Sequence, residues 1–195
     1  MLKIPTYPPS GEWDPRMNSE NLCPSLMPVK TVHQNEWFAV KNRGGYFTTE
    51  FKEAQGVILP IVDKKSIVLV RVIRPVIEDN TLELPAGGFA LSSETPEQGL
   101  MRELAEETGI IIKDECRMIP LAPIADSPGR NPNLIYPYRV DLSQNEFDLR
   151  LAHDDEIMEV ICLPFEKVSE MIKTGEIYVA GAIAVILRYF IECNI

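Results

Sequence analysis

Two nearly continuous apolar stretches, residues 56–62 and 66–72, dominate the hydrophobic pattern of the chain. Both are rich in Val, Ile and Leu, and only the polar run Asp63-Lys64-Lys65 and its flanks separate them. A run of apolar residues without alternation is typical of a strand that is buried on both faces. The pattern therefore predicts a central hairpin in a sheet that is covered on both sides.

Further strands and helices are predicted around this hairpin. A second hairpin is indicated by the β-branched and aromatic residues of segment 36–51, which flank an Asn42-Arg43-Gly44-Gly45 turn. Other predicted strands are 81–84, 134–142, 159–163 and, as an edge strand because it contains two prolines, 118–124. Predicted helices are 165–173, which ends at Gly175, and 179–193. Strands with interspersed helices predict an α/β fold, a mixed β-sheet sandwiched by helices.

The first 35 residues differ from the rest of the chain. They contain six prolines and lack clear hydrophobic periodicity. Proline removes a backbone donor and disfavours helix, so an extended arm is favoured over a packed subdomain. We therefore predict an N-terminal arm over residues 1–35 and one folded domain over residues 36–195.

A further helix is predicted between Thr95 and Gly109. Thr95 suits the N-cap, Pro96 the first helical position and Gln98 the returning partner of a capping box. Gly109 suits the position just past the helix end, where a positive φ is required. These local signals predict a helix with well-defined ends.

One face of this helix carries Glu103, Glu106 and Glu107, because residues three and four apart share an arc. Met101, Leu104 and Ala105 fall on the opposite arc and are predicted to face the core. Such acidic faces are frequently only solvated. However, like charges at this spacing repel one another, and carboxylate oxygens are the ligands that Mg²⁺ and Mn²⁺ prefer.

The residues around the three glutamates favour the metal interpretation. The stretch follows a pattern with fixed spacing, and its constrained positions are Gly88, Glu94, Arg102, Glu103, Leu104, Glu106, Glu107, Gly109 and Ile110. This pattern resembles the signature of the Nudix hydrolases. The resemblance implies an α/β/α sandwich with a loop-helix-loop catalytic motif, in which Glu103 and Glu107 are metal ligands and Glu106 a further one. Arg102 is predicted to orient a carboxylate through a bidentate pair, and Glu94 to be its structural partner.

Metal ions on these glutamates suit the hydrolysis of a phosphoanhydride. That reaction requires neutralisation of charge on both phosphoryl groups and a water in line with the bond that breaks. Mg²⁺ or Mn²⁺ supplies both functions.

Two segments before the helix resemble the ADP-ribose pyrophosphatase branch of the family. They are Arg74-Pro75 and the run from Glu83 to Gly87. The resemblance implies that Arg74 contacts substrate phosphates, that Glu83 shapes the site and that a backbone carbonyl ligates the metal. Because this chain has one glycine more than the branch pattern, that carbonyl belongs to Ala86 or to Gly87.

Two later segments add to the resemblance. Asp126-Ser127-Pro128-Gly129 lies where such enzymes commonly carry Ser-Pro-Gly, although a few residues late, which implies an insertion near Cys116. The acidic segment 153–160 resembles a loop in which a glutamate acts as general base or positions the water. Glu156 matches that glutamate best, and Asp155 is the alternative.

The two tryptophans are further candidate functional residues. Trp37 is either a surface on which the nucleobase stacks or a tryptophan of the core or of a dimer interface. Members of this branch are commonly domain-swapped homodimers, so a homodimer is implied. In that assembly the arm that contains Trp13 could contact a partner subunit.

Composition limits the binding partners and the cellular location that are expected. The 195-residue chain carries 19 basic and 29 acidic residues, a net charge of −10, which argues against binding to nucleic acid or to an anionic membrane. Its four cysteines lack the spacing of zinc or redox sites, and reduced thiols in a cytosolic protein are expected. No signal segment or membrane-spanning run is evident, so a cytoplasmic location is predicted.

The residues and the resemblance together support three functional hypotheses. The first is metal-dependent hydrolysis of ADP-ribose to AMP and ribose 5-phosphate. The second is the same chemistry on another substrate, such as GDP-mannose or a dinucleoside polyphosphate. The third is a non-catalytic ADP-ribose sensor, which is disfavoured because sensors usually lose the glutamates that this chain keeps.

Overall fold

The computed structural model describes residues 15–18 and 22–195. Within these residues the strands are β1 (Val29–Gln34), β2 (Phe38–Arg43), β3 (Tyr46–Phe51), β4 (Ala54–Val62), β5 (Ser66–Arg74), β6 (Asp79–Glu83), β7 (Ala86–Phe89), β8 (Ile119–Pro120), β9 (Ile135–Leu142) and β10 (Ile157–Pro164). The α-helices are α1 (Pro96–Thr108), α2 (Gln144–Asp148), α3 (Phe165–Thr174) and α4 (Ala180–Cys193).

Seven of these strands form the central sheet. Its order is β10-β5-β4-β9-β8, while β6 pairs with β5 and β7 pairs with β4. The β4–β9 pair is parallel, from Gln55 opposite Ile135 to Val62 opposite Leu142. The other pairs of described strands are antiparallel. The sheet is therefore mixed, and the predicted central hairpin forms its middle.

Helices cover both faces of this sheet. Alternate residues of β4 point to opposite sides: Leu59 and Ile61 pack in the cluster formed with α3 and α4. Ile58 and Val62 pack in the cluster that contains Leu100 and Leu104 of α1. Side chains on each face thus bury apolar area, which is the main favourable contribution to folding. The α/β/α architecture and the burial of the central strands on both faces are confirmed.

Several elements differ from their predicted bounds. The predicted strand 118–124 is reduced to β8 and an isolated bridge between Ile124 and Ile135, because Pro120 and Pro123 lack the N–H that a ladder needs. Strand β7 and the short helix α2 were not predicted. The glycines of β7 suggest a turn, and α2 is a single capped turn that begins after Ser143.

Strands β1, β2 and β3 form a separate three-stranded sheet. Strand β1 pairs with β2, so regular structure begins before residue 36, where the sequence places the start of the domain. The arm over residues 1–35 and its place at a dimer interface stay predictions. Trp13 lies outside the described residues.

A buried carboxylate holds β2 to β3. The Glu50 side chain is only 2% exposed and accepts hydrogen bonds from Arg43 Nε (2.5 Å) and Thr48 Oγ1 (2.6 Å). Lys41 Nζ lies 2.8 Å from its second oxygen. Burial alone raises the pKa of this carboxyl, but the bonds from Arg43, Lys41 and Thr48 outweigh that effect and lower it to about 2. Glu50 is therefore ionised and fully paired.

All four cysteines are free thiols. None of the helices in the described part of the chain is both long and apolar enough to span a lipid bilayer.

Candidate active site

Helix α1 has the ends that its sequence predicts. Thr95 Oγ1 accepts from the Gln98 N–H and Gln98 Oε1 accepts from the Thr95 N–H, both at 3.2 Å. Gly109 has a φ of 71° and donates its N–H to the Ala105 carbonyl at 2.9 Å. A Cβ at Gly109 would lie 2.0 Å from the Leu151 carbonyl oxygen, so the site requires glycine for space as well as for φ.

Arg102 gathers the carboxylates of this helix. Its Nη1 donates to Glu103 at 2.7 Å and to Glu106 at 3.0 Å. Its Nη2 donates to the Gly88 carbonyl at 3.1 Å and to Glu94 at 3.2 Å. Arg102 does pair with Glu94, but the bidentate pair predicted for Arg102 is not found, because each of its bonds goes to a different acceptor. The guanidinium links the helix to the preceding glycine-rich strand.

Glu107 occupies the most enclosed position of the three glutamates. Its carboxylate accepts a 2.9 Å hydrogen bond from the Ala86 N–H. Burial raises the pKa of Glu107 to about 7; the Ala86 bond and Arg74 oppose this rise, and the nearby charges of Glu103 and Glu83 add to it. A buried carboxylate that is short of positive charge is a suitable ligand for a divalent cation.

The donor set fits Mg²⁺ or Mn²⁺, but the side chains are not converged on one point. Among the described residues, no group of three Asp, Glu, His or Cys side chains is arranged to hold a metal ion. The reason is visible: Arg102 draws Glu103 and Glu106 toward itself, while Glu107 turns to the Ala86 N–H. Binding of a cation to all three requires rotation of these side chains, whose oxygens are the right chemical type.

Gly87 lies directly against Glu103. A Cβ added at Gly87 would lie 2.1 Å from Glu103 Cδ, far inside contact distance. The hydrogen bond from the Ala86 N–H therefore fixes the position of Glu107, and the absence of a side chain at Gly87 leaves room for Glu103. This explains why a glycine is needed at the position that lies one residue before the start of the signature.

We expect Gly87→Ala to lower kcat about 10- to 100-fold, because the new methyl group displaces Glu103 from its place. The melting temperature should change little, since the displaced atoms are the end of a flexible side chain. Steady-state kinetics and thermal unfolding measure the two effects. A Gly87→Ala variant with wild-type kcat would contradict the placement of Glu103 in the site.

Arg74 and Glu83 form a bidentate ion pair beside this helix. Arg74 Nε and Nη2 donate to the two Glu83 oxygens at 2.7 and 2.9 Å, and Thr81 Oγ1 donates to Glu83 at 2.5 Å. Pairing with Glu83 raises the pKa of Arg74, and the charges of Glu107 and Glu156 raise it further. Arg74 is thus a cation that is half-exposed and faces the carboxylate site, as a phosphate contact requires.

The acidic loop that contains Glu156 is attached to the end of α1. The Leu151 N–H donates to the Gly109 carbonyl and the Asp154 N–H to the Glu106 carbonyl, both at 2.8 Å. Glu156 itself is exposed and lies close enough to Arg74 to influence its pKa. The structure therefore brings Glu156 to the side of the site where Arg74 is found.

A cavity of about 240 Å³ lies next to these residues. Glu83 and Ala86 contribute to its wall, which connects it to the carboxylate site. Asp126, Asn131 and Asn133 line another side of it. The two asparagines were not predicted from the sequence. The only local signal is the Asn131-Pro132-Asn133 turn pattern, which does not indicate a long-range contact.

Trp37 is not brought to this cavity. Its side chain is 67% exposed and does not contribute to the cavity wall within its own chain. A role for Trp37 in base stacking or at a dimer interface stays a prediction.

The chain is similar in sequence to known proteins. The chain matches the NUDIX domain family over residues 52–180. It is 33% identical over 140 residues to a GDP-mannose pyrophosphatase of Shigella flexneri, which covers 68% of this chain and 70% of the relative. It is 27% identical over 121 residues to an ADP-ribose pyrophosphatase of Bacillus subtilis (strain 168), which covers 62% of this chain. That match spans 63% of the length of the relative, slightly less than two thirds.

A solved structure has the same fold. The crystal structure of an ADP compounds hydrolase superposes with a TM-score of 0.63 at 17% identity, and the match covers 87% of this chain and 94% of the other. The NUDIX match includes the whole stretch that carries the signature, from Gly88 to Ile110. The chain therefore belongs to the Nudix hydrolase family.

Proposed function

We propose that this protein hydrolyses the pyrophosphate bond of a nucleoside diphosphate derivative with the help of a divalent metal ion, and that ADP-ribose is the substrate. The observation that carries the proposal is that Glu103, Glu106 and Glu107 lie on one face of α1, beside the Arg74–Glu83 pair and next to a cavity. An anionic substrate would otherwise be repelled by a chain with a net charge of −10.

Each group has a distinct task in this proposal. Glu103, Glu106, Glu107 and the carbonyl of Ala86 or Gly87 would hold Mg²⁺ or Mn²⁺. When bound, the cation would supply positive charge to the phosphate oxygens and a more acidic water. Arg74 binds the phosphate oxygens, and Glu83 fixes the direction of its guanidinium.

Glu156 accepts the proton from the attacking water. The water oxygen forms a bond to one phosphorus, and the bond from that phosphorus to the bridging oxygen breaks. The leaving phosphate keeps the electron pair of the broken bond, so ADP-ribose yields AMP and ribose 5-phosphate.

GDP-mannose is the second candidate substrate. It is supported by the GDP-mannose pyrophosphatases that are 30–33% identical to this chain, among them one of Enterobacter sp. (strain 638). The phosphate-binding groups would be the same for both substrates, so the residues of the cavity decide between them. Dinucleoside polyphosphates share the same chemistry. A non-catalytic ADP-ribose sensor is disfavoured because all three glutamates are present.

A substrate panel tests this proposal. ADP-ribose, GDP-mannose, ADP-glucose and diadenosine polyphosphates are incubated with the protein and Mg²⁺ or Mn²⁺, and the products are identified by chromatography. We expect AMP and ribose 5-phosphate from ADP-ribose, loss of turnover in EDTA and its return on addition of metal. Retention of every substrate intact would refute the proposal.

We expect Glu156→Gln to lower kcat about 100-fold, because general bases typically contribute 10²- to 10⁴-fold. The Mg²⁺ concentration that gives half-maximal activity should change little. Asp155→Asn is the comparison, and a larger loss in that variant would move the role to Asp155. A collapse of Mg²⁺ dependence in Glu156→Gln would instead make Glu156 a metal ligand.

The assembly and location proposed for the enzyme come from the sequence. They are a homodimer that acts in the cytoplasm on a small-molecule substrate, without nucleic acid or membrane partners.

A further inference from the structure

The loop between β8 and β9 is fastened at its base and near its end. At its base, Ile124 and Ile135 exchange both backbone hydrogen bonds, at 3.0 and 2.9 Å. Inside the loop, the Arg130 and Asn131 N–H groups both donate to the Ser127 carbonyl. Residues 125–134 therefore form a compact loop with a defined internal turn.

This loop also joins the free edge of the three-stranded sheet. The Thr49 N–H donates to the Arg130 carbonyl at 2.9 Å. The Phe51 N–H donates to Asn133 Oδ1 at 2.8 Å, and Asn133 Nδ2 lies 3.4 Å from the Phe51 carbonyl. The Asn133 side chain thus takes the place of a neighbouring strand, because it pairs with both the N–H and the C=O of Phe51.

Asn133 is suited to fix this contact. It is 6% exposed, and its own N–H donates to Asn131 Oδ1 at 2.9 Å. A buried amide whose partners are lost carries a desolvation cost, so the pairing with Phe51 strongly favours one position of the loop.

The same residues line the cavity beside the carboxylate site. Phe51, Asn131, Asn133 and Asp126 contribute to its wall together with Glu83, which binds Arg74. Any displacement of the loop from β3 would therefore change the shape of the cavity while leaving α1 in place.

We propose that Asn133 is a positioning residue that holds loop 125–134 against β3 and thereby sets the wall of the cavity that receives the organic group next to the pyrophosphate. This inference rests on the proposed function. It assigns to Asn133 an effect on substrate binding and not on the hydrolytic step, because Asn133 acts through the cavity wall and not on the reacting atoms.

The test compares Asn133→Ala with Asn42→Ala. Asn42 Oδ1 also accepts a backbone N–H, from Gly45 at 2.8 Å, but at the β2–β3 turn and away from the cavity. For Asn133→Ala we expect KM for ADP-ribose or GDP-mannose to rise about 5- to 10-fold, the equivalent of one lost hydrogen bond, with kcat within about twofold of wild type. For Asn42→Ala we expect both constants to stay at their wild-type values.

Hydrogen exchange of the Thr49 and Phe51 amides gives a second readout, and we expect faster exchange in Asn133→Ala only. If Asn133→Ala does not fold, Asn133→Asp retains the acceptor for Phe51 and should show a smaller rise in KM. A fall in kcat with unchanged KM would indicate a merely structural role and overturn the inference. Absence of turnover by the wild-type protein would overturn the proposed function, and this inference with it.

Discussion

Replacement of Glu107 by glutamine is expected to lower kcat by about 100- to 1,000-fold, in the range observed when one preorganised charge-stabilising group is removed. Glutamine retains the shape and can still accept the Ala86 N–H bond, but it cannot supply an anionic oxygen to a metal ion. Glu103→Gln is expected to behave in the same way. The measurement is steady-state kinetics at saturating Mg²⁺.

Stability separates this effect from damage to the fold. Because the pKa of Glu107 is raised to about 7, its ionised form is unfavourable in the folded protein, and the melting temperature of Glu107→Gln at pH 8 should equal or exceed that of wild type. Glu97→Gln, on the same helix but outside the proposed site, is the matched control and should keep wild-type kcat. Unchanged turnover in both Glu103→Gln and Glu107→Gln would refute the metal assignment.

Glu50→Gln is expected to reduce the free energy of unfolding by about 3–5 kcal/mol, the usual cost of removing one partner from a buried ion pair. The change leaves Arg43 and Lys41 without their anion inside the three-stranded sheet. Urea denaturation at pH 7 measures the effect. Glu159→Gln is the control, since its pair with Arg71 is exposed and should contribute less than about 1 kcal/mol.

The contribution of Glu50 also depends on pH. Its pKa is lowered from 4.5 to about 2, so its stabilising effect is fully present above pH 4.5 and is lost as pH falls toward 2. A shift of this size corresponds to about 3 kcal/mol, because each pKa unit is worth about 1.4 kcal/mol. The difference in unfolding free energy between wild type and Glu50→Gln should therefore shrink below pH 4.5. A constant difference down to pH 2.5 would contradict the assigned pKa.

Features that depend on local physics are readable from this sequence. The ends of α1 follow from Thr95, Gln98 and Gly109, whose capping roles involve residues only a few positions away. The burial of β4 and β5 follows from their uninterrupted apolar composition. The three glutamates on one face follow from helical geometry alone.

Features that depend on distant partners are not readable in this way. Asn133 contacts Phe51, which lies 82 positions away, and no local pattern connects the two. The buried ion pairs of Glu50 could not be predicted either, because an acidic residue in a strand pattern is normally assigned to the solvent face. The sequence identifies Arg102 as a partner of carboxylates, but only the structure reveals that the guanidinium bonds Glu103, Glu106, Glu94 and the Gly88 carbonyl together.

The parallel pairing of β4 with β9 has a consequence for how the chain acquires its fold. Strand β5 can pair with β4 as soon as the turn between them has been synthesised. Strand β9 can pair with β4 only after the ribosome has also synthesised α1. Pairings between distant segments slow folding and expose strand edges in the meantime. During synthesis, the backbone groups on the edge of β4 that faces β9 therefore stay unpaired until β9 has left the ribosome. A chaperone or a lower growth temperature is expected to favour recovery of active protein by protecting this edge.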